Sequence, residues 1–241
     1  MKSCLTDGTI KRKYAGKGFR SPQKKRRGDR TKGIFNELEE RSRKGIMPKD
    51  SIKIRTAQIE DARELLAVYA PYVEKTAVTF EYEVPSLAEF SERVRRTLEK
   101  YPYFIAECEG EIAGYAYAGP FHERAAYDWA CEVSIYLRQD RKRQGIGRKL
   151  YDALEGTLKA QNIQNLYACI AYPDSEDEYL TRDSARFHEH MGYHLIGEFH
   201  QCGYKFGRWY HMVWMEKHLG NHEADPKKVR PFREVIRDRN Q

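Results

Sequence analysis

Residues 132–150, EVSIYLRQDRKRQGIGRKL, combine a carboxylate, a cluster of basic side chains and two closely spaced glycines. The basic side chains lie within 138–148, and Gly145 and Gly147 flank Ile146. Glycines let a ligand approach the backbone closely, and the free N–H groups and dipole at a helix N-terminus attract phosphate oxygens. The spacing therefore predicts a site for a phosphate or pyrophosphate group.

The residues on either side of this turn predict the elements that hold it. Residues 133–137, VSIYL, are mostly β-branched, aromatic or aliphatic and are bounded by charge, as is typical of a strand. Apolar side chains after the turn recur at helical spacing. They are Ile146, Leu150, Ala153, Leu154 and Leu158. The order is strand, basic glycine turn and helix, and the same glycines are also consistent with a tight turn that binds nothing.

Two common nucleotide motifs are excluded at this turn. A dinucleotide-binding turn needs a third glycine, and position 150 is leucine. The Gly-Lys-Ser/Thr signature of ATP-binding loops does not occur in the sequence. A dinucleotide or ATP site is therefore not expected.

The positive charge of the chain is concentrated in residues 1–50. They contain 16 Lys or Arg and 6 Asp or Glu, a net +10, which leaves −3 of the total +7 for residues 51–241. We predict a disordered basic extension over 1–50, because it contains few residues able to build a core. Residues 1–32 are consistent with a weak nucleic-acid contact, with a solvated tail, or with an extension upstream of a working start near Met47.

The spacing of the cysteines and the length of the apolar runs indicate in which cellular compartment the protein is expected. The five cysteines are widely spaced and form no Cys-x-x-Cys pair, so neither a disulfide framework nor a zinc site is expected. No run approaches the roughly 20 apolar residues that a membrane span needs, and no secretory leader is evident. We expect a protein of the reducing cytoplasm with no membrane partner.

The remaining pattern alternates strands and helices. Strands 127–137 and 165–171 should be parallel, because a full helix separates them. Pro71 is expected to disturb the end of the first helix, and 220–241 is interpreted as a charged tail that can lie on the body. Strands are predicted at 52–55, 103–108, 111–118, 127–137, 165–171, 193–201 and 209–217, and helices at 61–71, 87–100, 146–158 and 183–191.

Five ordered blocks resemble one family. The stretch 52–219 is similar to the phosphinothricin N-acetyltransferase branch of the GNAT superfamily of acetyltransferases. The resemblance implies an α/β GNAT acyltransferase fold over residues 51–219, with a mixed central sheet and helices on both faces. It also implies acetyl-CoA as co-substrate and no metal. The blocks are YAGP at 117–120, AYDW at 126–129 with Glu132 just after, KRQGIG at 142–147, His188-Glu189 with Gly192-Tyr193, and GYKFG at 203–207 with Trp209.

The resemblance assigns catalytic roles to two residues. Glu132 is expected to be the general base for the attacking amine, and partial burial would raise its pKa. His188 is expected to protonate the leaving thiolate, with Tyr193 as an alternative donor. Read from the residues alone, a glutamate beside a strand is usually a solvated rim residue, and a single helical histidine is more often structural.

The resemblance also predicts the binding residues. The backbone around Val133, Ile135 and Tyr136 is expected to pair with pantetheine. Lys142 stands at a Gln/Arg position, where it keeps the charge but loses the planar fork. The pyrophosphate is expected on Lys142, Arg143, Gln144, Gly145, Ile146, Gly147 and Arg148.

The acceptor is expected near Phe80, Arg124 and Tyr127. Phe80 is equally consistent with a core position, and Arg124 with a surface salt bridge to Glu123 or another neighbour. The family has lysine where this chain has His122, and the acidic loop 172–182 is longer than its counterpart in the family.

The resemblance thus implies an acetyl-CoA-dependent N-acetyltransferase acting on a small amino-acid-like amine, such as phosphinothricin or methionine sulfoximine or sulfone. Acetylation of protein amines or polyamines stays open. A second alternative that stays open is a nucleic-acid-binding protein that uses the basic arm and has an acyl-CoA-sensing body. The sequence also leaves open whether the protein forms a homodimer.

Overall fold

The computed structural model describes residues 52–239, which form seven strands and five helices. The strands are β1 (Ile52–Thr56), β2 (Tyr103–Cys108), β3 (Glu111–Pro120), β4 (Ala130–Leu137), β5 (Asn165–Tyr172), β6 (His194–Lys205) and β7 (Arg208–His218). The helices are α1 (Ala62–Lys75), α2 (Leu87–Lys100), α3 (Ile146–Ala160), α4 (Asp183–His190) and α5 (Phe232–Arg239). The predictions for residues 1–50 concern a part of the chain that lies outside the described residues.

One sheet organises these elements, in the order β1-β2-β3-β4-β5-β7-β6. Only β4 and β5 are parallel, and every other neighbouring pair is antiparallel. Helix α3 packs on one face through Leu150, Tyr151 and Leu154, which are fully buried. Helices α1 and α2 pack on the other face, where Leu65 and Val94 are buried. The predicted mixed sheet with helices on both faces is confirmed.

The parallel pair β4–β5 is held together over only three residues of each strand. Ala130, Cys131 and Glu132 pair with residues 165–167, and no further pairing follows. Both strands nevertheless continue, β4 to Leu137 and β5 to Tyr172. The two strands therefore part after Glu132 and leave a wedge-shaped opening in the middle of the sheet.

Two predicted boundaries were wrong. Strand β4 begins at Ala130 and not at position 127, because Ala125–Tyr127 close into a 3₁₀ turn in which the Tyr127 N–H donates to the Arg124 carbonyl at 2.9 Å. Helix α1 continues past Pro71 to Lys75. A proline removes a helical hydrogen bond. Burial of Tyr72 and Val73 stabilises the last turn and offsets the lost hydrogen bond.

The predicted C-terminal tail contains helix α5, and that helix packs on the body of the protein. Phe232 and Val235 are buried, and the Phe232 ring meets Phe104 edge to face at 6.1 Å. The segment before α5 is tied down as well, since the Trp129 indole N–H donates to the Lys227 carbonyl at 2.7 Å. Among residues 52–239, no helix has the length and apolar character needed to cross a membrane.

Candidate active site

The opening between β4 and β5 contains two adjoining cavities. The smaller, of about 50 Å³, lies between the strands and is lined by Val133, Ser134, Cys169 and His188 among others. The larger, of about 650 Å³, lies at the N-terminus of α3 and along α4. Val78, Ile135 and Ser184 line both. A ligand can therefore extend from the helix terminus into the sheet.

The glycine turn supplies backbone donors to the larger cavity. Gly145 has φ +82° and precedes the first residue of α3, and the Lys149 N–H donates to its carbonyl at 3.2 Å. The N–H groups of Ile146, Gly147 and Arg148 belong to the first helical turn, where no carbonyl of the same helix can accept them. These three residues line the cavity. The predicted anion-binding turn thus has its donors at the right place.

The two glycines are required for different reasons. Gly145 is required by its positive φ, which other L-residues adopt only with strain, although a Cβ there would meet open space. At Gly147, a Cβ would lie 3.0 Å from Phe187 Cε2 and 3.4 Å from Ile135 Cδ1. Gly147 therefore allows α4 to pack closely against α3, a role that we did not predict from ligand approach alone.

The basic side chains of the turn are not equivalent. Lys142 lines the larger cavity with its Nζ 5.5 Å from the centre of the Tyr72 ring, and burial lowers its pKa. Arg143 is 87% exposed at the side chain and lies 3.7 Å from Asp183. Arg148 also lines the cavity. Gln144 turns away, since its Nε2 donates to the Asp140 carbonyl at 3.4 Å.

Strand β4 offers its backbone to the opening. Val133, Ile135 and Tyr136 line the smaller cavity. The Tyr136 ring, however, packs edge to face against Tyr69 at 4.9 Å and Tyr72 at 5.2 Å. Its side chain is therefore part of the aromatic core, and only its backbone remains for a ligand.

Glu132 lies at the point where the two strands part. It is the last residue of β4 paired with β5, opposite Tyr167, and its β3 neighbour is Gly119. Burial raises the pKa of its carboxylate. Burial also raises the pKa of Tyr117 and of the Cys169 thiol, and the nearby negative charge of Glu132 adds to both shifts. Glu132 thus has the environment expected of a proton acceptor.

His188 is buried and both of its ring nitrogens are engaged. The Ser184 carbonyl can only accept, so Nδ1, at 2.8 Å, donates to it. Nε2 then accepts from the Tyr151 hydroxyl at 2.8 Å. Burial lowers the His188 pKa to about 4, so the ring is neutral at pH 7. In this arrangement neither ring nitrogen directs a proton into the cavity, so the hydrogen bonds favour a positioning role for His188 over the expected protonation of the thiolate.

Tyr193 does not replace His188 as the donor. It is 3% exposed, and burial raises its pKa far above the usual range. Its ring packs against His188 and Tyr151 on the α3 side of the sheet, at 5.2 and 6.1 Å. Tyr193 lines neither cavity.

An aromatic group that we did not predict surrounds Tyr127. Phe121 lies 5.8 Å from Tyr127 and stacks on Tyr167 at 4.3 Å, and it meets Trp214 edge to face at 5.5 Å. Tyr167 is the strand neighbour of Glu132. This group brings Tyr127 to the Glu132 end of the opening. Only the strand register reveals it, because its members are distant in sequence.

The other two predicted acceptor residues differ in their surroundings. Phe80 packs flat against Gly203, where a Cβ would come within 2.3 Å of Phe80 Cε2, so its position is that of a packing residue. Arg124 is exposed at the start of the 3₁₀ turn. Among the ion pairs of residues 52–239, none joins Arg124 to Glu123.

The acidic loop between β5 and α4 forms one wall of both cavities. Leu180 is buried and lines the smaller cavity, and Thr181 lines the larger. Asp177 holds the loop by accepting from the Tyr179 and Leu180 N–H groups, both at 2.8 Å. Arg208 adds an ion pair to Asp177 at 2.8 Å. The loop is thus an ordered part of the site.

The comparisons with known proteins agree with this geometry. A model of the acetyltransferase (GNAT) domain matches residues 54–214. The phosphinothricin N-acetyltransferase of Streptomyces viridochromogenes is 32% identical over 184 residues, which cover 76% of this chain and 96% of that protein. The L-methionine sulfoximine/L-methionine sulfone acetyltransferase of Pseudomonas aeruginosa is 30% identical over 186 residues, which cover 75% of this chain and 99% of that protein.

A solved structure gives the same result for the fold. A GNAT superfamily phosphinothricin acetyltransferase from Sinorhizobium meliloti, in complex with AcCoA, has a TM-score of 0.68 and 32% identity, covering 76% of this chain and 97% of its own. The parted strands, the glycine turn at α3 and the family match over 54–214 therefore lead to one conclusion. The chain belongs to the GNAT family of acetyltransferases.

Proposed function

We propose that this protein is a cytoplasmic, acetyl-CoA-dependent N-acetyltransferase that acts on the free amine of a small amino-acid-like compound, of the phosphinothricin or methionine sulfoximine or sulfone type. The observation that carries the proposal is the half-buried carboxylate of Glu132 where β4 and β5 part. The names of the relatives support the acceptor class. The four described cysteines are free thiols, which fits a reducing compartment.

Glu132 would act on the amine. An alkyl ammonium ion has a pKa near 10 and cannot attack until it loses a proton. A carboxylate with a raised pKa is a better proton acceptor than an ordinary one at neutral pH. In the proposed reaction Glu132 takes that proton, directly or through a water, and the free amine attacks the thioester carbonyl to form the new N–C bond. The C–S bond then breaks and coenzyme A leaves as the thiolate, which takes the second proton that the nitrogen loses, so that the products are the amide and the free thiol.

The chain offers acetyl-CoA two kinds of backbone contact. The edge of β4 beyond Glu132 lacks pairing with β5, so pantetheine can add to it as an extra strand. The first turn of α3 presents N–H groups for the pyrophosphate, with Lys142 and Arg148 beside them. Gln144 is left out of this set because its amide binds the Asp140 carbonyl.

His188 is proposed as a positioning residue. It links the start of α4, through Ser184, to α3, through Tyr151. Both helices line the larger cavity. The hydrogen bonds of His188 would therefore fix the distance between α3 and α4 and, with it, the width of that cavity.

For the acceptor, we propose that Arg124 binds a carboxylate or phosphinate and that Tyr127 with Phe121 contacts the rest of the molecule. An exposed guanidinium can form a bidentate pair with a planar carboxylate. The half-exposed Tyr127 ring beside Phe121 supplies an apolar surface. A small acid with an amine is the acceptor that suits both.

The test is a free-thiol release assay with acetyl-CoA and a panel of amines. The panel contains phosphinothricin, methionine sulfone, methionine sulfone methyl ester, a polyamine and a lysine peptide. We expect turnover of the first two, and a weaker response to the ester because it lacks the carboxylate. Glu132→Gln should lower kcat by about 10²–10⁴-fold, the usual contribution of a general base.

The matched control is Glu99→Gln on α2, where an exposed carboxylate pairs only with Arg95 at the surface. Its rate should equal that of the wild type. Full activity of Glu132→Gln at neutral pH would remove Glu132 as the base. Preference for the polyamine or the peptide would replace the proposed acceptor class, and no turnover with any amine would favour an acyl-CoA-sensing body.

A further inference from the structure

A group of metal-ligating side chains lies at the edge of the sheet formed by β6 and β7. Glu198, His200 and His211 each offer one ligand atom, and these atoms all lie within 4.8 Å of one another. His211 shares a face of β7 with Val213, which packs in the same core cluster as Val133. None of the three side chains lines either cavity of the proposed active site, so this group is separate from that site.

The distances within the group are those of a coordination polyhedron. His200 Nδ1 and His211 Nδ1 are 3.1 Å apart, and Glu198 Oε1 lies 3.4 Å from the latter and 3.7 Å from the former. Zinc binds imidazole nitrogen at about 2.0–2.1 Å in tetrahedral geometry, which separates its ligand atoms by about 3.3 Å. The three measured separations bracket that value.

The protonation state of His211 suits a ligand. Its Nε2 lies 2.9 Å from Asp174 Oδ2, and because the carboxylate can only accept, Nε2 carries the proton. Nδ1 faces His200 and Glu198, at 3.1 and 3.4 Å, and is the ring nitrogen left to bind a metal ion. A carboxylate that holds the far nitrogen of a ligating histidine is a common arrangement at metal sites, where it fixes the ring and raises its basicity.

A bulge in the backbone of β6 determines the direction of the His200 side chain. The pairing of β6 with β7 shifts register between Phe199 and Gly203, and Gln201 within this bulge has φ +48°. Bulges re-aim side chains that a regular strand would direct elsewhere. Here the bulge lets His200 reach His211, whose side chain is only 8% exposed.

We propose that Glu198, His200 and His211 bind one divalent transition-metal ion of the zinc type, with water completing the coordination. Two imidazoles and a carboxylate are a known zinc ligand set. The ion would fasten the bulge of β6 to β7. Through Asp174 it would also fasten the acidic loop, whose Arg182 donates to the Asp174 carbonyl at 2.7 Å.

The test is a titration of tag-free, full-length protein with Zn²⁺ in competition with a chromogenic chelator, repeated with Co²⁺ by visible absorption. We expect one ion per chain and the intense bands of tetrahedral Co²⁺. Asp174→Ala should weaken binding by about 10–100-fold, as is usual for loss of an outer-shell partner. His200→Ala should weaken it more, because it removes a ligand. Both side chains are mostly exposed, so neither change threatens folding.

The matched control is His194→Ala. His194 is an exposed histidine on the same strand and lies 3.1 Å from Glu216, but it is not part of the group. Its variant should bind Zn²⁺ as the wild type does. The proposal is overturned if the wild type binds no ion, if His200→Ala binds as well as the wild type, or if the two histidine variants lose affinity equally.

Discussion

His188 is a buried residue whose two ring nitrogens both have partners inside the protein. Its place in the sequence predicts a proton donor, but the donor must hold a proton that faces the substrate. Nδ1 gives its proton to the Ser184 carbonyl, and Nε2 accepts from Tyr151. The Tyr151 contact could not be found from the sequence, because it joins two helices that are distant along the chain. Ser184, in contrast, lies four residues before His188 on the same helix, where helical spacing places it.

A stability measurement checks this account of His188. Its pKa is about 4 in the folded protein against an ordinary value of 6.5. Between these values the unfolded chain binds a proton that the folded chain does not, so the free energy of unfolding falls as the pH is lowered from about 6.5 to about 4. This group alone should contribute about 3 kcal/mol to that loss.

The measurement is urea unfolding at pH 7 and pH 4.5, compared with the His188→Gln variant. Glutamine can still accept from Tyr151 but does not titrate, so the variant should lose less stability on acidification. Equal losses in the two proteins would contradict the assignment of a buried, neutral His188. Glu132 acts in the opposite direction, since its raised pKa favours the folded state at low pH, and it is common to both proteins.

At the scale of elements, the local sequence was sufficient to predict the structure where a single turn determines it. Glu109 and Gly110 both have positive φ, as the tight hairpin predicted at that position requires. Strand–turn–helix around Gly145 was likewise predictable from periodicity. The parting of β4 from β5 was not, because it depends on pairing between strands. Helix α5 was missed because charged residues dominate it and few apolar side chains mark its buried face.

The glycine turn gives a prediction at this scale. Gly147→Asp places a negative charge at the first turn of α3, where the pyrophosphate is proposed to bind, and acetyl-CoA affinity measured by calorimetry should fall below detection. Gly147→Ala adds only a methyl group against Phe187 and should weaken binding far less. Both variants bring a Cβ to 3.0 Å from Phe187 Cε2, so the alanine variant measures the effect of the lost packing and the difference between the two variants measures the effect of the charge. Unchanged affinity of the aspartate variant would contradict the proposed phosphate site.

At the scale of the whole molecule, one edge of the sheet carries exposed apolar side chains. Edge strand β6 exposes Leu195, Ile196 and Phe199, which are 57%, 47% and 52% exposed. Unpaired strand edges with apolar side chains favour pairing with another chain. We therefore expect the homodimer left open by the sequence to form through β6.

Sedimentation velocity of a β6 variant checks the dimer. The double change Leu195→Glu and Ile196→Glu should convert a dimer to a monomer, because it places charges in the interface. Ile59→Glu is the matched control, since Ile59 is 45% exposed but lies beyond β1, near the other edge of the sheet. A wild-type protein that sediments as a monomer would contradict the expectation, as would a variant that stays dimeric.

The opening between β4 and β5 has a consequence for hydrogen exchange. Beyond Glu132, the amides of β4 that face β5 have no strand partner, while the alternate amides are paired with β3. The Leu137 N–H is held in another way, since it donates to the Tyr72 hydroxyl at 3.3 Å. Exchange of the unpaired amides that face β5 should be fast in the free protein. Acetyl-CoA bound as an added strand should slow it, and mass spectrometry of this one peptide would report occupancy by the co-substrate without any turnover.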